Sequence, residues 1–149
     1  VKYSLLVGLP TAEEVKIALG SAYPPADPKQ EKQTVVRGRD LETGLPRSLK
    51  ISSIEIREAL APTISQIVGA MAELLEETPP ELVSDIMSRG IVLCGGGALL
   101  SGLDKRIAEE TKMPVWVADD PLTAVVRGCG KLLEDSSLLN RVKVSGSLR

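Results

Sequence analysis

Histidine and phenylalanine are absent from this chain of 149 residues, and Trp116, Tyr3 and Tyr23 are its only aromatic side chains. Without an imidazole, acid–base or nucleophilic chemistry centred on histidine is excluded within the chain. With so few rings, a core has to be built from Leu, Ile, Val, Ala and Met. Cysteine is scarce too: Cys94 and Cys129 stand 35 positions apart. Two thiols are too few for a disulfide scaffold, and without histidine they make a poor zinc site. Both read as structural thiols, since a redox pair needs two exposed sulfurs close together. No run of about 18 apolar residues occurs, so no membrane-spanning helix is predicted. The first residues lack the charged-then-apolar pattern of a secretory signal. An excess of one charge is also lacking: 18 basic and 20 acidic side chains leave a net charge of −2. That balance argues against a nucleic-acid partner while leaving a local patch open.

What remains is ordinary for a folded domain, with 43% hydrophobic and 26% charged residues. The opening VKYSLLVG reads as a strand that begins without a turn or cap, which suggests a fragment. Thr11, followed at the third position by Glu14, forms a Thr-x-x-Glu capping pattern that predicts a helix start, with Gly20 as its stop. Residues 21–33 are Pro-rich and charged, hence a loop. The stretch TVVRGRDLETGLPRSLKIS predicts two strands around a turn near Glu42-Thr43-Gly44. Ser52-x-x-Glu55 is a second capping pattern, opening a long helix whose apolar stripe is Ile56, Leu60, Ile64, Ile67, Met71 and Leu74. Pro62 is expected to kink or divide that helix. Pro80 suits the first turn of a short helix running through Met87.

From residue 90 the pattern is more regular. GIVLC predicts a strand, GGGALLSG a corner leading into a helix, PVWVAD a second strand, and DPLTAVVRGCGKLLED a second helix. This is a βαβα order with parallel strands, and the apolar strands suggest that helices cover both sheet faces. Beyond Ser136 no pattern is strong enough to place, although RVKV suggests an edge strand.

The sharpest local feature is Gly95-Gly96-Gly97 after a strand. Glycines let the backbone turn and approach a flat base or a phosphate, and strand-to-helix corners are common ligand sites in α/β folds. They equally serve an ordinary tight turn, and both readings stand. The run matches neither the dinucleotide fingerprint nor the Walker phosphate loop, because no Lys-Ser/Thr pair follows. Glu13 and Lys16 lie three apart on a helix. They could hold ribose hydroxyls and cover a base edge, or simply form a solvated salt bridge. Asp120, beside Asp119 and before Pro121, reads best as a helix cap. Gly128 and Gly130 could allow close packing against the glycine corner.

At this point the chain resembles the bacterial actin-like, rod-shape-determining proteins, related more distantly to actin and the heat-shock chaperone ATPases. The carrying stretches are TAEEVKIALGSAYP, VRGRDLETGLPRSLKIS, PPELVSDIMSRGIVLCGGGALLSGLD and PVWVADDPLTAVVRGCGKLLE, which span nearly all of residues 11–134. The resemblance implies an α/β fold, the second domain of an actin-like ATPase, with a βαβα core and a small inserted α+β subdomain. Residues 1–20 and 77–137 would form part of the larger nucleotide-cleft subdomain, 21–76 the small subdomain, and 138–149 a carboxy-terminal tail. It implies ATP or ADP as cofactor, with Glu13, Lys16, Gly95, Gly96, Gly97, Ala98 and Leu99 beside the adenosine moiety and Asp120 on the cleft side or as a cap. Mg2+ is expected only with an amino-terminal half that carries the phosphate loops and catalytic residues, so this stretch alone is not expected to hydrolyse ATP. Implied partners are identical subunits in filaments, a membrane-spanning filament anchor and the cell-wall elongation machinery. The implied location is the cytoplasmic inner face of the cell membrane, reached through segments outside this chain. Two departures stand out: Gly8-Leu9-Pro10 replaces a common Gly-Glu pair, and Cys94 sits where Thr is common. The competing readings are a degenerate interaction module that no longer binds nucleotide and, more weakly, a sugar-kinase-like enzyme.

Overall fold

The computed structural model describes residues 2–142. β-branched Thr34, Val35 and Val36 favour an extended chain, and β2 (Gln33–Asp40) pairs antiparallel with β3 (Pro46–Ser52) from Gln33↔Ser52 to Arg39↔Pro46. Their connection is held by Asp40, whose carboxylate accepts the backbone N–H groups of Glu42 and Thr43 at 2.9 and 3.0 Å. The Arg47 guanidinium donates to the same carboxylate at 2.8 Å. Gly44 completes the turn at φ +73, a conformation only glycine adopts freely. The expected turn is therefore present.

The opening strand is short. β1 (Leu5–Leu6) lies against β2, giving a three-stranded sheet in the order β1-β2-β3. Leu5 and Leu6, placed by the sequence with residues 77–137, thus pair within the sheet of residues 33–52.

Helix α1 (Leu9–Leu19) begins earlier than its capping pattern predicts. Pro10 fits the first turn, where its absent N–H costs nothing, so Gly8 becomes the cap and Thr11 falls inside the helix. The Thr11–Glu14 box consequently does not form. Gly20 does end the helix, in extended rather than left-handed geometry. A β-carbon there would stand 2.3 Å from the Lys16 carbonyl oxygen and 3.1 Å from Leu100 Cδ1, so close approach is its reason.

The second capping pattern forms in full. In α2 (Ser53–Glu77) the Glu55 N–H donates to Ser52 Oγ at 3.3 Å and the Ser52 N–H donates to Glu55 at 2.9 Å. Tyr3 also donates its hydroxyl to Glu55. That bond, followed by those from Ser52, holds the Glu55 carboxyl at about 2. Pro62 does not divide the helix, which runs on for 25 residues. The buried stripe is narrower than predicted: Ile64 and Val68 are buried, whereas Ile67 is 45% and Leu74 65% exposed.

After α3 (Pro80–Arg89), β4 (Ile91–Leu93) leads through a single 3₁₀ turn (Gly96–Leu99) to α4 (Leu103–Thr111), then β5 (Val115–Val117) and α5 (Ala124–Glu134). β4 and β5 are parallel, with Val92 opposite Trp116. Ile64 and Val68 of α2 join Leu103 and Ile107 of α4 in one core, packed against Leu93 and Val115. Among the described residues only that face of the two strands is covered. Val92 and Trp116, on the other, are 54% and 45% exposed, contrary to the expectation of helices on both faces.

Asp135 opens a further helix, α6 (Ser136–Val142), by accepting the N–H groups of Ser137 and Leu138 at 2.9 and 3.1 Å. Arg141 and Val142 of the suspected edge strand are helical; Lys143 and Val144 lie outside the described residues, as does the rest of the expected tail.

Candidate functional site

The glycine corner follows β4. Gly95 sits at φ +83, which strains any other residue, and its N–H donates to the Pro121 carbonyl at 2.6 Å. Gly96 and Gly97 are not at positive φ. A β-carbon on Gly95 or Gly97 would meet nothing within 4 Å, and one on Gly96 would meet only Leu122 Cδ2, at 3.6 Å. Positive φ accounts for Gly95, but packing among the described residues does not explain why Gly96 and Gly97 lack side chains. Ala98 alone in the corner is buried, while Leu99 is 59% exposed.

Glu13 and Lys16 are both exposed on α1. No ion pair joins them among the described residues. The Lys16 carbonyl accepts the Gly20 N–H at 2.8 Å, and Gly20 backs onto Leu100 at the corner's exit. Ala22 then donates its N–H to the Ser101 carbonyl at 2.8 Å, fastening the end of α1 to the segment that follows the glycines. The fold thus brings the last turns of α1 to the corner, with Lys16 nearer the junction and Glu13 a turn further along. The two glycines of α5 do not join them: nothing lies within 4 Å of a β-carbon on Gly128 or Gly130, so the expected close packing is not formed.

Asp120 is not a helix cap. The cap of α5 is Thr123, which donates its hydroxyl to Asp120, so the aspartate orders the turn before the helix. A cleft of about 230 Å³ lies beside it, lined by Asp119, Asp120, Arg127 and Lys131 among others. No three His, Cys, Asp or Glu side chains converge as a metal site among the described residues. Cys94 and Cys129 are both exposed and free, which does not fit the reading of structural thiols.

A larger cleft, of about 620 Å³, was not anticipated. It adjoins the end of α1 and is lined by Tyr23, Glu31, Lys32, Arg57, Ser101 and Lys105 among others. Arg57 donates to Glu31 at 2.7 Å and to Ser21 at 2.9 Å, and Ser53 donates its hydroxyl to Glu31. The Ser53 bond and then Arg57 hold the Glu31 carboxyl below its ordinary range. These residues come from the α1–β2 loop, the start of α2 and the segment from Ser101 into α4, so no spacing in the sequence announces them.

The MreB/Mbl protein family model matches residues 1–141. The chain belongs to the MreB/Mbl family. It is 44% identical over 144 residues to the cell shape-determining protein Mbl of Bacillus subtilis (strain 168), covering 97% of this chain and 42% of that protein. To the cell shape-determining protein MreB of Escherichia coli (strain K12) it is 52% identical over 132 residues, covering 89% of this chain and 37% of the relative. The crystal structure of MreB5 of Spiroplasma citri bound to ADP superposes with a TM-score of 0.86 at 38% identity, over 95% of this chain and 42% of that one. This MreB/Mbl member therefore has the mixed α/β actin-like ATPase fold, and it spans about two fifths of the length of these relatives.

Proposed function

We propose that this chain is the adenosine side of the nucleotide cleft in an ATP-binding, filament-forming bacterial cytoskeletal protein that maintains rod shape by organising cell-wall synthesis. The observation that carries the reading is the open Gly95–Leu99 corner beside the last turns of α1. Its glycines leave room for a flat ligand that no side chain among the described residues fills. An ADP-bound relative of the same fold adds support. Glu13 would accept hydrogen bonds from ribose hydroxyls, the Lys16 stem would flank the base with its ammonium in water, and the corner would offer backbone contact. Bound ATP would supply the phosphoanhydride for hydrolysis; this chain's residues bind and orient its nucleoside end. Phosphate and Mg2+ chemistry would belong to an amino-terminal half, and membrane contact to segments outside this stretch. In the same reading residues 7–20 and 77–137 belong to the larger cleft subdomain and 21–76 to the smaller, to whose sheet the Leu5–Leu6 strand is paired. The partners are identical subunits, a membrane-spanning anchor and the elongation machinery at the inner face of the membrane.

Calorimetric titration of ATP and ADP into the protein that carries this chain tests the site. Gly96→Val adds a side chain where the fold has room for it, so the variant should stay folded. Its affinity should fall by roughly tenfold or more, with Glu13→Ala moving in the same direction. Unchanged affinity in both folded variants would defeat the assignment.

A further inference from the structure

The larger cleft, of about 620 Å³, falls within the roughly 300–1,000 Å³ of small-molecule sites. It shares no lining residue with the adenosine assignment, since neither Glu13, Lys16 nor the Gly95–Leu99 corner contributes to its walls. Its charge is one-sided. Lys32 reaches it from the loop before β2, Arg57 from α2 and Lys105 from α4, and Glu31 is the one carboxylate among its described lining residues. Lys32 and Lys105 are exposed and have no ion-pair partner among the described residues. Glu31 is already engaged by Arg57 and the Ser53 hydroxyl, so the charges of Lys32 and Lys105 stand uncompensated.

Arg57 has one nitrogen to spare. Its Nε donates to Ser21 and its Nη2 to Glu31, whereas Nη1 donates to nothing among the described residues. No buried side-chain nitrogen or oxygen among them lacks a partner, so Nη1 is open to solvent. A guanidinium fixed through two nitrogens offers its third with little further loss of side-chain freedom. Ile17, Tyr23, Pro24 and Pro25 give the same cleft apolar surface, and Ile17 is 74% exposed.

We infer that this cleft binds a small phosphate monoester with a flat apolar body, and that its occupation tightens the adenosine site. Lys32, Lys105 and Arg57 Nη1 hold the phosphate, and the prolines, Ile17 and Tyr23 cover the body. The coupling rests on the adenosine reading and on a shared joint. Gly20 and Ser101 line the cleft, and at these two residues the end of α1 is fastened to the glycine corner: Ala22 donates to the Ser101 carbonyl at 2.8 Å, and Gly20 backs onto Leu100. A ligand that draws Lys32 toward Lys105 closes the loop before β2 onto α4 and holds that joint shut. Linkage makes the effect reciprocal, so the phosphate ligand raises ADP affinity by the same factor by which ADP raises its own.

Phenyl phosphate titrated by calorimetry into the protein that carries this chain, with and without saturating ADP, tests both parts. Saturable binding is expected in each case, tighter with ADP by roughly fivefold or more. Inorganic phosphate should bind more weakly, and phenol should not bind. Lys32→Ala/Lys105→Ala should weaken phenyl phosphate by on the order of tenfold or more and remove the coupling, while ADP alone binds as before. Lys50→Ala, on β3 outside the cleft, is the control and should change neither affinity. These substitutions replace exposed side chains without ion pairs, and thermal unfolding identifies any variant lost to misfolding. Displacement of the probe by vesicles of phosphatidic acid and phosphatidylcholine would assign the phosphate to a lipid headgroup, and no displacement to a free metabolite; either source keeps the site. No saturable binding, binding that ADP displaces or leaves unchanged, or binding unaltered by Lys32→Ala/Lys105→Ala overturns the inference. Failure of the adenosine reading shows separately, as unchanged ADP affinity in Gly96→Val and Glu13→Ala.

Discussion

Among the described residues Ile107 is the most completely buried large side chain, 1% exposed where α4 meets α2. Replacing it with alanine removes three carbons from a site that Ile64, Val68 and Leu103 surround. At about 0.8 kcal/mol per buried methylene the transfer loss is roughly 2.4 kcal/mol. The cavity left behind adds to this, because helices locked to two strands and to each other relax only in part. A total of roughly 3–4 kcal/mol is expected, inside the range of about 2–5 for such truncations. Against a typical domain stability of about 5–15 kcal/mol this is a large share. Urea unfolding followed by circular dichroism reads it directly: with a slope of about 2 kcal/mol per molar, the midpoint should fall by roughly 1.5–2 M at unchanged slope. Ile17, 74% exposed on α1, is the matched control. Ile17→Ala should stay within about 0.5 kcal/mol of the parent. A loss below about 1 kcal/mol for Ile107→Ala, or equal losses at the two sites, would refute the claim that the α2–α4 contact is the centre of the core.

The two capping patterns should separate cleanly in the same assay. Ser52→Ala removes a formed box and should cost about 1 kcal/mol, while Thr11→Ala, inside α1, should change stability by less than about 0.5 kcal/mol. Acid should weaken the fold through Asp40 and Glu55, both held at about 2 from ordinary values of 3.8 and 4.5. Asp40 owes this first to the Thr43 N–H, then to Arg47 and Glu42, and Glu55 first to Tyr3. Between those limits the unfolded chain binds more protons than the folded one, so stability present above about pH 4.5 is lost as pH falls toward 2. Thermal midpoints measured across that range should drop with acid, and Asp40→Asn should flatten the slope; an unchanged slope would contradict the assignment.

Sequence alone determined the parts whose cause is local. The Ser52–Glu55 box, the turn at Glu42–Gly44 and the start at Pro80 rest on neighbours a few positions apart, and the βαβα order was legible in the succession of apolar segments and glycine or proline breaks. Family membership was legible for a related reason, since separated motifs kept their order along the chain. Tertiary structure decided what depends on distant partners. Val68 rather than Ile67 entered the core because α4 lies on that side of α2, whereas Thr11 lost its cap to a local competitor, Pro10 in the first turn of α1. The Arg57–Glu31 cleft draws on three segments that no periodicity connects. The strands of residues 91–117 read as buried on both faces, yet Val92 and Trp116 stand open. Hydrophobicity records that a side chain gains by leaving water, but not which surface will cover it; that choice belongs to the packing of elements far apart in the chain.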